Sequence, residues 1–231
     1  MDETKTAMRL AMRAQRRALA ADQLTAAAAA VAAHVQALAW FRVAPALVAY
    51  VATDNEVSTE PLLATAHAAG KRLYLPRLTD GAMTFAEHRL GTPLRIGAFG
   101  IPQPQGDSCD TRDLADAMAV LPLLAWDDAG GRVGRGGGHY DRAFAGPHRP
   151  RWLIGLGYAF QQVPHVPRDL WDVRLDGVVT EQQTVTCWVG DDASPLTKED
   201  PNDHDHDTLD TGQPRAGGGS GLRAGRRAAQ A

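Results

Sequence analysis

Stretches patterned as helix alternate along this chain with short apolar runs patterned as strand, and nothing else in it restricts the fold so tightly. Residues 46–52 (ALVAYVA) read as a buried strand, and residues 117–126 (AMAVLPLLAW) as a central strand running into a loop. Further strands are predicted at 72–75, 83–88, 152–156 and 177–180. Between them lie helical patterns at 5–19, rich in strong helix formers, and at 22–41. A third, at 60–69, has Ser58 or Thr59 as N-cap, Pro61 in its first turn and Gly70 to close it. A fourth begins near Gly138 and runs to 145. Strands interleaved with helices predict an α/β layered domain with a mostly parallel sheet, in which ligands sit beyond the carboxyl ends of the strands.

The pattern stops near residue 190 of the 231. Residues 191–210 hold eight acids and one lysine, and residues 211–231 hold four arginines and no acid. No aromatic residue occurs in either stretch, so the segment buries too little apolar surface to offset its ordering entropy. The expectation is a folded domain at 1–190 and a disordered polar tail at 191–231. The formal charge of −3 belongs wholly to the tail, because residues 1–190 carry 19 basic and 19 acidic residues. A neutral domain argues against a polybasic nucleic-acid binder. No run approaches the roughly 20 apolar residues of a membrane-spanning helix. Two distant cysteines, Cys109 and Cys187, favour neither a disulfide framework nor a zinc site, and suit a reducing cytoplasm.

The strongest chemical signal is GRGGGHYDR at 134–142, just past the 117–126 strand. Consecutive glycines leave backbone amides unshielded and permit positive φ, so the loop can wrap an anion. A helix starting near Gly138 would add its N-terminal amides, and Arg135 and Arg142 add charge. The segment is neither a Walker A loop nor a dinucleotide fingerprint, and it reads as a phosphate cradle in preference to a mobile surface turn. On the first helix, Lys5, Arg9, Arg13 and Arg17 recur every four residues along one face. Such a stripe is most often a solvated face; in the functional reading Lys5 and Arg9 complete a polyphosphate site. Asp141, inside the cradle, serves either turn chemistry or a cation set between it and phosphates. Asp172 and Asp176 precede the 177–180 strand, and Glu56 lies between a strand and a helix start, where ligand contacts are usual.

Taken in order, these pieces resemble the 5-formyltetrahydrofolate cyclo-ligase family. Lys5-x-x-x-Arg9, Tyr50 through Thr59, FGIPQP at 99–104, and Pro122 through Asp127 running into GRGGGHYDR carry the resemblance. So do Gly157-Tyr158 with Gln161 and Gln162, and Asp172 and Asp176 leading to VVTE at 178–181. The resemblance implies a Rossmann-like three-layer α/β/α sandwich. It also implies ATP-dependent closure of 5-formyltetrahydrofolate to 5,10-methenyltetrahydrofolate, with ADP and phosphate released and magnesium required. By the same resemblance ATP is held by Lys5, Arg9, Gly134, Arg135, Gly136, Gly137, Gly138, His139, Tyr140, Asp141 and Arg142. Arg135 and Tyr140 are the catalytic assignments, Asp141 and Asp172 bind magnesium, and Glu56, Phe99, Trp126 and Tyr158 contact the folate. The implied partners are small molecules, without nucleic acid or membrane, and the expected state is a cytoplasmic monomer.

Three positions depart from the family pattern: His139 replaces a tyrosine, Gln103 a glutamate and Ser58 an acid. The first two keep hydrogen-bonding capacity, whereas Ser58 is expected to weaken pterin contacts. Two other readings are a same-scaffold ATP-using relative acting on another formylated compound, and a non-catalytic folate- or nucleic-acid-binding relative.

Overall fold

The structure, a computed structural model, describes residues 3–79, 81–109 and 111–187. The expected tail at 191–231 lies outside the described residues.

The chain opens with α1 (Glu3–Arg17), α2 (Ala21–Ala37) and α3 (Ala39–Val43), and then enters β1 (Ala46–Val48). After α4 (Glu60–Ala68) come β2 (Arg72–Thr79), β3 (Ala82–Glu87), β4 (Ser108–Cys109) and β5 (Met118–Pro122). The last elements are α5 (His139–Ala143), β6 (Trp152–Leu156), β7 (Gly177–Val179) and β8 (Thr184–Thr186). These strands form one sheet in the order β8-β7-β6-β5-β1-β2-β3-β4. The five central strands, β7 to β2, pair parallel, while β8, β3 and β4 add antiparallel edges. From β1 the chain goes to β2 on one side, and its later strands β5, β6 and β7 fill the other. The strand order therefore reverses between β1 and β5, which is where such sheets open a crevice.

Alternation along the buried strands supplies both core layers. Leu47, Met118, Val120, Trp152, Ile154 and Leu156 face one layer, packed on Val31 and Val35 of α2, Trp40 and Phe41 of α3, and Leu62 and Leu63 of α4. Ala46, Val48, Ala119, Leu121 and Leu153 face the other, against Leu114, Trp126, Phe144 and Leu175. Phe85 and Phe144 stack there with centroids 5.3 Å apart, tying α5 to the β3 side. Among the described residues, the second layer is covered by the five-residue α5, a short 3-10 turn at Thr111–Leu114 and connecting segments, so it is the thinner one.

Several expected elements are shorter than their patterns. The 22–41 helix breaks at Leu38, which is extended (φ −66, ψ 135), and the redirected chain buries both Trp40 and Phe41. The 46–52 strand ends at Val48, although Ala49 N–H still donates to the Tyr74 carbonyl at 2.9 Å. Strand β2 is longer than predicted because the antiparallel β3 continues its ladder out to Thr79.

Helix α1 stands apart from these layers. Its Met8 and Met12 pack on Ala125, Val133 and Val166, the first two from a hairpin (Ala125–Trp126 with Arg132–Val133) beyond the end of β5. That docking carries the basic face of α1 to the crevice.

Candidate active site

A cavity of about 930 Å³ opens at the carboxyl ends of β1 and β5, at the reversal of strand order. The segment after β1 contributes Tyr50, Thr53 and Glu56, and β2 contributes Pro76 and Leu78 near its end. Beyond β5 come Leu123, Arg132 and the whole glycine segment from Gly134 to Arg142. Lys5 and Arg9 reach in from α1, and Asp169, Trp171 and Asp172 from the turn before β7. The volume lies at the upper end for small-molecule sites.

The glycine segment has the conformation its composition predicts. Gly136 and Gly138 sit at φ 99 and φ 62, left-handed backbone that a side chain adopts only with strain. A Cβ on Gly138 would also meet the Arg142 guanidinium at 2.9 Å. Arg9 Nε donates to the Gly134 carbonyl at 3.0 Å, so α1 and the loop form one wall. Helix α5 spans only His139–Ala143. Its macrodipole is correspondingly small, and attraction for an anion rests on the loop amides and the arginines.

Every acid in the cavity is paired with one of its cations. Lys5 Nζ lies 2.8 Å from Asp172 and 2.9 Å from Asp169. Burial alone would lower the Lys5 pKa, but the two aspartates together outweigh it and hold it above its ordinary value. Desolvation likewise acts to raise Asp172; the Asp169 N–H and Lys5 prevail and hold it low. Arg132, 5% exposed, pairs with Asp141 Oδ1 at 2.6 Å. Arg135 Nε lies 3.1 Å from Glu56 Oε1, while Glu56 Oε2 accepts the Thr53 N–H at 3.0 Å. Only 6% of the Glu56 side chain is exposed, and this desolvation raises its pKa despite Arg135, Thr53 and Arg16. Desolvation also raises the Tyr140 phenol, with Glu56 adding to the shift, so that at neutral pH it is a proton-bearing donor. Burial, then Arg142, lowers His139, whose imidazole is neutral near pH 7.

Lys5, Arg9, Glu56, Phe99, Asp172 and all nine residues from Gly134 to Arg142 therefore line one cavity. Trp126 and Tyr158 do not, which corrects their expected place on the folate wall. Trp126 is fully buried in the second core layer, where its indole N–H points to the Tyr158 carbonyl at 3.5 Å. Burying so large an apolar ring outweighs presenting it to a ligand. Tyr158 is 3% exposed and stacks on Phe160; its hydroxyl donates to the Asn55 carbonyl at 3.0 Å. It supports the 53–56 segment from beneath. Ser58 is also outside the cavity, with Oγ accepting the Glu60 N–H at 3.3 Å.

The stripe on α1 divides. Lys5 and Arg9 enter the cavity, whereas Arg17 and Arg13 pair with Asp54 at 3.0 and 3.7 Å. Arg16, off the stripe, is 1% exposed and binds Asp54 at 2.7 Å, with Glu56 at 4.0 Å. Asp54 and Asn55 are both left-handed, φ 52 and 55, in the turn that precedes Glu56. Sequence reading overlooked Arg16, Arg132, Asp169 and Trp171. Arg132 and Asp141, nine positions apart, meet across the glycine loop, a proximity no periodicity signals.

Among the described residues no three His, Cys, Asp or Glu side chains converge as a metal cage. Magnesium carried with a nucleotide needs only one or two carboxylates besides the phosphates, so Asp141 beside the glycine loop suits it. Asp172 fits as a second ligand only once Lys5 lets go of its Oδ2.

The sequence model of the 5-formyltetrahydrofolate cyclo-ligase family matches residues 1–181. A 5-formyltetrahydrofolate cyclo-ligase from Haemophilus influenzae is 34% identical over 131 residues, covering 54% of this chain and 70% of that protein. One from Escherichia coli is 33% identical over 136 residues, covering 57% and 75%. The solution structure of a 5,10-methenyltetrahydrofolate synthetase from Aquifex aeolicus superposes with a TM-score of 0.69 at 25% identity, covering 85% of this chain and 99% of that one. A synthetase from Mycoplasma pneumoniae shares the fold, with a TM-score of 0.63 at 21% identity over 78% of this chain and 99% of that one.

Proposed function

The chain belongs to the 5-formyltetrahydrofolate cyclo-ligase family, and from that premise we propose how its cavity carries out ATP-dependent cyclisation of 5-formyltetrahydrofolate to 5,10-methenyltetrahydrofolate. One observation carries the reading: a cationic glycine loop and a buried carboxylate share one crevice at the reversal of strand order.

An amide oxygen is a poor leaving group, and phosphorylation improves it. The formyl oxygen attacks the γ-phosphorus, its O–P bond forming as the bond to ADP breaks. The nitrogen at position 10 then adds to the activated carbon and gives up its proton, and phosphate departs as the carbon–oxygen bond breaks. Such transfer needs positioning and charge neutralisation more than a protein nucleophile. Lys5, Arg9 and the amides of Gly136 to Gly138 hold the triphosphate. Arg135 lies between the two substrates, beside Glu56 now and beside the transferring phosphoryl once ATP binds. Tyr140, held protonated, donates a hydrogen bond to a γ-phosphate oxygen as charge shifts on the transferring group. Glu56 takes a pterin N–H edge, and Phe99, 79% exposed on its loop, closes over the folate ring system. Magnesium, when bound, would neutralise phosphate charge, with Asp141 as its anchor and Asp172 as a second ligand once Lys5 releases it.

The proposal includes a monomer, since all these groups come from one chain, and a cytoplasmic location, in keeping with Cys109 and Cys187 carrying thiols. Folate-dependent ADP release tests it: ADP and phosphate should appear in equal amounts only with 5-formyltetrahydrofolate present. ATP hydrolysis at the same rate without it would refute the coupling.

A further inference from the structure

Trp171 has no role in the mechanism above. It is 69% exposed yet lines the cavity, whereas Trp40, Trp126 and Trp152 are buried in the core. The turn beneath it is firmly held. Asp172 N–H donates to the Asp169 carbonyl at 3.1 Å, and Asp169 N–H to Asp172 Oδ2 at 2.9 Å. Lys5 Nζ bridges both carboxylates from α1. On the far side, Val173 N–H donates to Asp141 Oδ1 at 3.1 Å. The indole is therefore presented by a turn tied to Lys5 and Asp141. The other exposed aromatic of the cavity, Phe99, belongs to a different wall, with its ring centroid 6.1 Å from that of His139. A large apolar ring held in solvent at the rim of a charged site loses the burial that stabilises other tryptophans, and a flat π-face is what a base stacks on.

We propose that Trp171 is the platform on which the nucleotide base stacks, and that it gives the site its preference for a nucleotide over a bare polyphosphate. The inference rests on the assignment of Lys5 and Asp141 to the phosphates and their magnesium. Trp171 is a specificity residue: it acts on binding of the base and leaves the phosphoryl chemistry alone.

Calorimetric titration of the full chain with ADP and with pyrophosphate, both with magnesium, separates base from phosphate. Trp171→Ala should weaken ADP roughly tenfold or more, within the range of base–aromatic stacking, and leave pyrophosphate unchanged. Trp171→Phe should retain most of the ADP affinity. In turnover, Trp171→Ala should raise KM for ATP at constant kcat. Equal loss for both ligands, loss for neither, or a loss confined to 5-formyltetrahydrofolate would overturn the assignment. A wild-type protein that turns over but shows no advantage of ADP over pyrophosphate would also overturn it. If the wild type binds neither ligand and makes no product, the functional reading fails and takes this inference with it.

Discussion

Glu56 shows how individual residues trade stability for recognition. Its carboxylate lies almost out of water, with one cation in direct contact, and desolvation keeps its pKa above 4.5. A raised folded value means that the group favours folding below 4.5 and that this contribution fades as pH rises through the folded value. At neutral pH Glu56 is therefore a burden that the fold retains for ligand contact. Glu56→Gln should leave the melting temperature unchanged or higher at pH 7, while weakening 5-formyltetrahydrofolate at least tenfold. Wild-type folate affinity should fall on acidification toward the raised Glu56 value, and the variant should be flat. Thermal melts and folate titrations across pH check both; a variant that melts lower and binds normally would assign Glu56 a purely structural role.

Among the elements, α1 does more than its pattern promised. A stripe of four basic residues was legible, as was the chance that Lys5 and Arg9 reach phosphates. Arg16 was not, because the i, i+4 rule follows one face, and the residue buried against Asp54 lies off it. Only the docking of Met8 and Met12 on the hairpin decides which way each arginine points. Trp126 and Tyr158 illustrate the opposite failure. Both lie in segments that flank the cavity, but an aromatic side chain at a strand end faces ligand or core depending on packing that no local pattern encodes. The Arg16–Asp54 pair locks α1 to the left-handed turn before Glu56. Removing one member of a buried pair leaves the other uncompensated. With Arg17 still on Asp54, which is 24% exposed, Arg16→Met should cost about 2–3 kcal/mol, or about 5–10 °C in melting temperature. It should also raise KM for folate through the loosened turn. A melt within 2 °C of wild type would contradict the lock.

On the scale of the whole molecule, the strand–helix alternation was enough to predict a mostly parallel sheet with its site beyond the strand ends. It did not reveal that the edges are antiparallel, nor how few residues cover the second face, since those depend on which strands pair. Position of the cavity at the strand-order reversal follows from topology, whereas Lys5 arrives from α1 through the docking of Met8 and Met12. All cavity residues fall between Lys5 and Asp172. Deleting residues 191–231 should therefore leave kcat/KM for both substrates within twofold of the full chain, and a tenfold loss would show that this segment supports the site. The central claim, that one cavity couples triphosphate cleavage to folate ring closure, is tested most directly by near-ultraviolet absorbance of methenyltetrahydrofolate. Purified protein with 5-formyltetrahydrofolate and magnesium should develop that absorbance only when ATP is added. Absence of product with ATP present, or equal product without it, would contradict the account.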